Sequence, residues 1–148
     1  MVRRLGFSFF VLLFALSVRA DVVDIDNAEL ARLSAAGVPV IDIRTEGEWQ
    51  ETGIVAGSKL LTFVDERGRT DSPAWLEKVR GVAGPDQPVI LICRSGKRTK
   101  AASRVLSQEA GYGKVYSVQG GILAWAKEGR PMAPAPSAQA TCAAGARC

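Results

Sequence analysis

Val89-Ile-Leu-Ile92 is a run of four apolar residues with nothing polar between them. A strand with one wet face alternates apolar and polar residues, so an unbroken run predicts a strand covered on both faces. Val38 to Ile43 repeats the pattern with Asp42 as its only charged member. Further runs rich in apolar residues stand at Val22 to Ile25, Lys59 to Val64 and Val115 to Val118. Helical segments are expected between them. Asp26 followed by Glu29 reads as a capping box opening a helix over Ala28 to Ala36, which Gly37 ends. Thr45 caps a short helix through Trp49. Ser72 caps a helix over Pro73 to Val82, with proline at the first helical position. Arg98 to Ala110 reads as a helix ended by Gly111, and Ile122 to Glu128 as a last one. Strand and helix in alternation predict an α/β fold: an open five-stranded parallel sheet with helices on both faces, in three layers.

The first twenty residues are expected to lie outside this domain. Arg3 and Arg4 precede an apolar run over Leu5 to Val18, and Val18-Arg19-Ala20 presents small residues where a signal peptidase cuts. The run falls short of the ~20 residues that span a bilayer. Residues 1–20 are therefore expected to be a cleaved signal peptide, giving a periplasmic or secreted protein without stable membrane association. The whole chain carries 19 Lys and Arg against 15 Asp and Glu, and losing residues 1–20 leaves 16 against 15. So small an excess gives no support for a nucleic-acid partner. Residues 21–132 are expected to form one domain. Residues 133–148, rich in Ala and Pro, are expected to be a disordered tail. A monomer is expected.

There is no histidine, which removes Cys–His catalysis and His-ligated zinc. No metal or organic cofactor is expected. Of the three cysteines, Cys142 and Cys148 lie in the tail, where they could pair with each other or resolve an oxidised Cys93.

Cys93 ends the most apolar strand and begins the segment Cys93-Arg94-Ser95-Gly96-Lys97-Arg98-Thr99, which leads into a helix. In an open parallel sheet, ligands bind outside the carboxyl ends of the strands. Gly96 permits a tight turn, so that loop N–H groups can point inward around a small anion, aided by the helix N-terminus. Arg94, Lys97 and Arg98 add positive charge, and Thr99 either caps the helix or donates a hydrogen bond into the loop. Such surroundings favour a thiolate at Cys93. The competing expectation is an inert core cysteine beside a solvated basic rim. Asp42 and Glu48 could pair with the loop arginines and hold them in place. For Asp42 the simpler expectation is a buried, hydrogen-bonded residue without chemistry.

Three motifs carry a resemblance. Val40-Ile-Asp-Ile-Arg44 with Glu46-x-Glu48-Trp49, the Cys93 to Thr99 loop, and Gly120-Gly-Ile-x-x-Trp125-x-x-x-Gly129-x-Pro131 resemble the rhodanese-like domains, in particular their small single-domain secreted members. The likeness runs from about Val38 to Met132. It implies a sulfurtransferase in which Cys93 carries the sulfur, Arg94 to Thr99 bind the substrate, and Asp42, Arg44 and Glu48 support the loop. Its substrates would be a small anionic donor such as thiosulfate and a thiol or cyanide acceptor, joined through a Cys93 persulfide. Alternatives are a non-catalytic anion or sulfur carrier and, on a related scaffold, a phosphatase. Phosphatases of the dual-specificity type have one residue more between Cys and Arg than the four here. The chain also departs from the family. Where many members have a Gly-His-Ile-Pro-Gly-Ala segment, it has Thr52-Gly-Ile-Val-Ala-Gly-Ser58, without the histidine.

Overall fold

A computed structural model describes residues 21–136. The expected signal peptide, and Cys142 and Cys148, lie outside the described residues. Ten regular elements alternate as expected: β1 (Asp21–Ile25), α1 (Asn27–Ala35), β2 (Val40–Asp42), α2 (Glu46–Thr52), β3 (Lys59–Leu60), α3 (Ser72–Arg80), β4 (Val89–Ile92), α4 (Lys97–Arg104), β5 (Lys114–Val118) and α5 (Gly121–Lys127). The strands form one parallel sheet in the order β1-β5-β4-β2-β3.

The period of two along a strand divides the core. Val89, Leu91 and Cys93 point to one face, where they join Trp75, Leu76 and Val79 of α3 and Ala102 of α4. Ile90 and Ile92 point to the other, with Leu30 and Leu33 of α1 and Ile122 and Trp125 of α5. All four β4 residues are fully buried, as the unbroken apolar run requires. The strand order places a topological switch between β2 and β4. From β2 the chain moves outward to β3, and from β4 it moves the opposite way to β5. The crevice outside the carboxyl ends of β2 and β4 is thus the expected place for a ligand.

Several elements differ from the sequence expectation, each for a local reason. The helix α3 is capped by Asp71, whose carboxylate accepts from the Ala74 N–H at 3.0 Å. Ser72 is already helical. At α1, Asp26 accepts from the Glu29 N–H, but the Glu29 carboxylate pairs with Arg32, so only half of the expected box forms. The full box belongs to α2, between Thr45 and Glu48. β3 stops at Leu60. Beyond it the Leu61 and Phe63 N–H groups still reach the Asp42 and Ile43 carbonyls, while the Thr62 hydroxyl, not a backbone amide, donates to Arg44 O. The expected helix through Ala110 changes after Arg104 into a π-helical turn over Val105–Glu109.

Order also continues past the expected boundary at 132. Ala133 exchanges two backbone hydrogen bonds with Ile54, each of 2.8 Å, and Pro136 O accepts from the Gln50 side chain. Gly53 adjoins this bridge. A Cβ there would stand 2.7 Å from Ala133 O, and its φ of +79° suits glycine. The segment that departs from the family pattern is therefore packed against residues 132–133.

Candidate active site

Cys93 follows β4 directly. Its side chain is only 1% exposed and joins the apolar cluster on the α3 and α4 face. The chain then turns back over it. Gly96, at φ +85°, brings its N–H to 3.1 Å from the Cys93 Sγ. A Cβ on Gly96 would press on Gly120 N and Val118 O at 3.3 and 3.4 Å, so glycine serves both the turn and the close approach.

The α5 terminus fixes the orientation of the loop peptides. Ile122 N–H donates to Cys93 O at 2.8 Å and Leu123 N–H to Arg94 O at 3.2 Å. There are no cis peptides among the described residues. In a trans peptide the C=O and the following N–H point opposite ways. With both carbonyls drawn toward α5, the Arg94 and Ser95 N–H groups are turned away from it. That is the side of the sheet on which the Cys93 sulfur lies. The close contact requires Gly121. A Cβ there would fall 2.2 Å from Cys93 O and 2.6 Å from Arg94 O, and φ is +58°. In the sequence the Gly120-Gly121 pair stands out only as part of a closing signature. The signal that would have revealed its role is two adjacent glycines at a helix start, where a side-chain cap is usual.

The basic residues divide sharply. Arg98 is held by Glu48 through two hydrogen bonds of 2.5 and 2.7 Å, linking the loop to α2. Burial works against the charge on Glu48. The Arg98 hydrogen bonds, the Thr45 amide and hydroxyl, and the Arg98 charge outweigh it and hold the carboxyl down at about 2. The same hydrogen bonds, against a smaller burial cost, raise the Arg98 guanidinium above its ordinary value. Arg94 and Lys97 are exposed and, among the described residues, form no ion pair.

Thr99 is fully buried and does not cap α4. Its hydroxyl donates to Gly96 O at 2.9 Å, bracing the loop. Asp42 does not reach a loop arginine. It takes Arg44 in a two-pronged pair, Nε to Oδ1 at 2.9 Å and Nη2 to Oδ2 at 2.7 Å. Arg44 also donates to Thr52 Oγ1, Gly53 O and Glu48 O, which engages all its N–H groups. The pair is buried and ties the end of β2 to the end of α2. Ser95 is exposed on the loop crest. Among the described residues, no group of His, Cys, Asp or Glu is placed to hold a metal ion. A cavity of about 500 Å³ opens beside Phe63 and Trp75, and Cys93 does not line it.

Fold and site together define an α/β protein with a recessed thiol at the sheet's switch point, beneath a short cationic loop. The family model for the rhodanese-like domain matches residues 26–128, and the chain belongs to that family. It is 30% identical over 116 residues to thiosulfate sulfurtransferase 18 of Arabidopsis thaliana, covering 76% of this chain and 84% of that one. It is 34% identical over 114 residues to a sulfurtransferase of Allochromatium vinosum, covering 75% and 94%. Among solved structures, a rhodanese-related protein of Thermoplasma volcanium superposes with a TM-score of 0.57 at 25% identity, covering 76% of this chain and 99% of that one. At the level of the family, the activity is sulfur transfer.

Proposed function

We propose that the protein moves a sulfane sulfur from a small anionic donor such as thiosulfate to a thiol or cyanide acceptor, through a persulfide on Cys93. One observation carries the reading: the Cys93 sulfur sits at the switch point with a loop N–H already directed at it. The Cys93 thiolate attacks the outer sulfur of thiosulfate. The sulfur–sulfur bond of the donor breaks, and its electron pair departs with sulfite. Loop amides receive charge on the new terminal sulfur, and the exposed cations Arg94 and Lys97 favour approach of the anion. The acceptor then attacks that terminal sulfur, and the Cys93 thiolate leaves. Arg98 takes no direct part, because Glu48 occupies its guanidinium.

Thiosulfate:cyanide turnover tests this. Cys93→Ser should reduce it to background with the fold intact. Mass spectrometry of the thiosulfate-treated protein should show one added sulfur on the Cys93 peptide. Undiminished turnover in the variant overturns the reading. Stoichiometric anion binding without turnover would instead favour a carrier. The basic start, apolar run and small-residue cleavage pattern of residues 1–20 support a periplasmic or secreted location, and a monomer is part of the same proposal. N-terminal sequencing of the exported protein, expected to begin at Asp21, and gel filtration check them.

A further inference from the structure

Among the described residues, a corner of the α4 face of the sheet is left uncovered. β1 is an edge strand paired only with β5, and α4 packs on β4 and β5 instead. Val22 and Asp24, which face the α4 side of β1, are left exposed. Two adjoining cavities, about 260 and 350 Å³, fill this corner, and both are lined by Asp24, Lys100 and Ser117. The larger also takes in Ser103 and Arg104.

Three observations mark the cleft as built to hold something. First, Ser103 is 1% exposed, and among the described residues its hydroxyl has no hydrogen-bond partner. Buried hydroxyls are nearly always paired, so this one is a donor and acceptor in waiting. Second, Asp24 stands across from Lys100 and Arg104, yet among the described residues none of the three is in an ion pair. Opposite charges that line one cleft without meeting leave room for a molecule bearing both signs. Third, the π-helical turn begins directly after Arg104. Such turns are frequent at functional sites.

We propose that this cleft binds a small zwitterion of the α-amino acid kind. Its carboxylate would lie between Lys100 and Arg104 and take the Ser103 hydroxyl hydrogen bond. Its ammonium would face Asp24. The cleft is also wired to the catalytic loop. Buried Ser117 donates to Thr99 Oγ1 at 2.9 Å, and Thr99 donates to Gly96 O. Gly96 is the residue whose N–H meets the Cys93 sulfur. Gly96 also lines the smaller cavity, so occupancy of the cleft reaches the loop by direct contact as well as through the two hydroxyls.

L-serine is a suitable unreactive probe, titrated into the ¹⁵N-labelled full chain and read by NMR. The amides of Lys100, Ser103, Ser117 and Gly96 should shift together and saturate with one dissociation constant. Lys100→Gln and Ser103→Ala, each removing one charged or charge-assisted contact, should weaken binding about tenfold while the spectrum stays dispersed. Acetate and methylamine, each carrying half of the charge pattern, should bind more weakly still. Non-saturating shifts, variants that bind as the parent does, or acetate binding as well as L-serine would overturn the proposal. A Gly96 amide unmoved at saturation would overturn the link to the loop. Cys93→Ser should bind L-serine unchanged, so the result stands apart from the fate of the sulfur-transfer reading.

Discussion

The two strands that flank the crevice end alike and are used in opposite ways. Each is followed by an arginine within two residues: Ile43-Arg44 after β2 and Cys93-Arg94 after β4. Arg44 is sealed. Asp42, Thr52, Gly53 and Glu48 take every N–H it has, and 1% of it is exposed. Arg94 is exposed and, among the described residues, in no ion pair. Charge alone therefore does not mark the functional side. On the proposed function, charge left without a partner does, because only such a group keeps its attraction for an incoming anion. Arg98 lies between the extremes: it is on the loop but committed to Glu48, so it shapes the cup rather than fills it.

Damage to the sealed side should appear as lost stability. Asp42→Asn leaves the Arg44 guanidinium buried against a neutral amide. Uncompensated buried charges of this type cost about 3–5 kcal/mol, which urea unfolding would read directly. A loss under about 1 kcal/mol, in the range of exposed pairs, would break the distinction drawn here. Next comes the contact between the loop and α5. Gly121→Ala places a Cβ on Cys93 O at a positive φ. Backbone strain and overpacking together should cost about 2–4 kcal/mol. Unlike Asp42→Asn, this variant should also slow alkylation of the Cys93 thiol, because the amides above the sulfur lose their orientation.

Glu48 links the two sides, and pH tests it. Its carboxyl is at about 2 when folded, against an ordinary 4.5. The folded value is the lower one, so the stabilisation is present above about 4.5 and is lost as pH falls toward 2. The difference corresponds to at most about 3 kcal/mol. Acid unfolding curves should show that limb in the parent, and Glu48→Gln should flatten it while lowering stability at neutral pH by about 2 kcal/mol. An identical limb in the variant would place the acid sensitivity elsewhere.

The fold was legible because its signals are short-range. An unbroken apolar run such as Val89 to Ile92 is decided by its own burial, and Gly37 or Asp26 punctuates a helix within a turn. The Cys93 loop was legible for the same reason: strand, thiol, glycine, cations and helix start are contiguous. Most of what stayed hidden depends on partners far apart in the chain. Nothing near Gly121 shows that it meets Cys93 O; the Asp42–Arg44 pair was hidden for another reason, since its members are two residues apart but charge type alone does not say which arginine the carboxylate takes. The pairing at the start of the tail stayed hidden for the same reason as the Gly121 contact. Ala133 is ordered by Ile54, through a pairing that neither composition nor period encodes.

The gentlest perturbation falls on the open rim and tests the comparison from its other end. Arg94 and Lys97 touch no acid among the described residues and project into solvent. Replacing either by alanine should leave stability within about 0.5 kcal/mol of the parent. The effect should fall on capture of the anion. Exposed charges act through a field screened within about 8 Å at physiological salt, so the cost should appear in KM for thiosulfate and shrink as salt rises. In the double variant the salt dependence itself should largely vanish. If it persists, the attraction comes from elsewhere on the surface, and the rim is as inert toward the substrate as the sealed pair behind β2. If stability falls with it, the two arginines that follow the crevice strands do the same structural work.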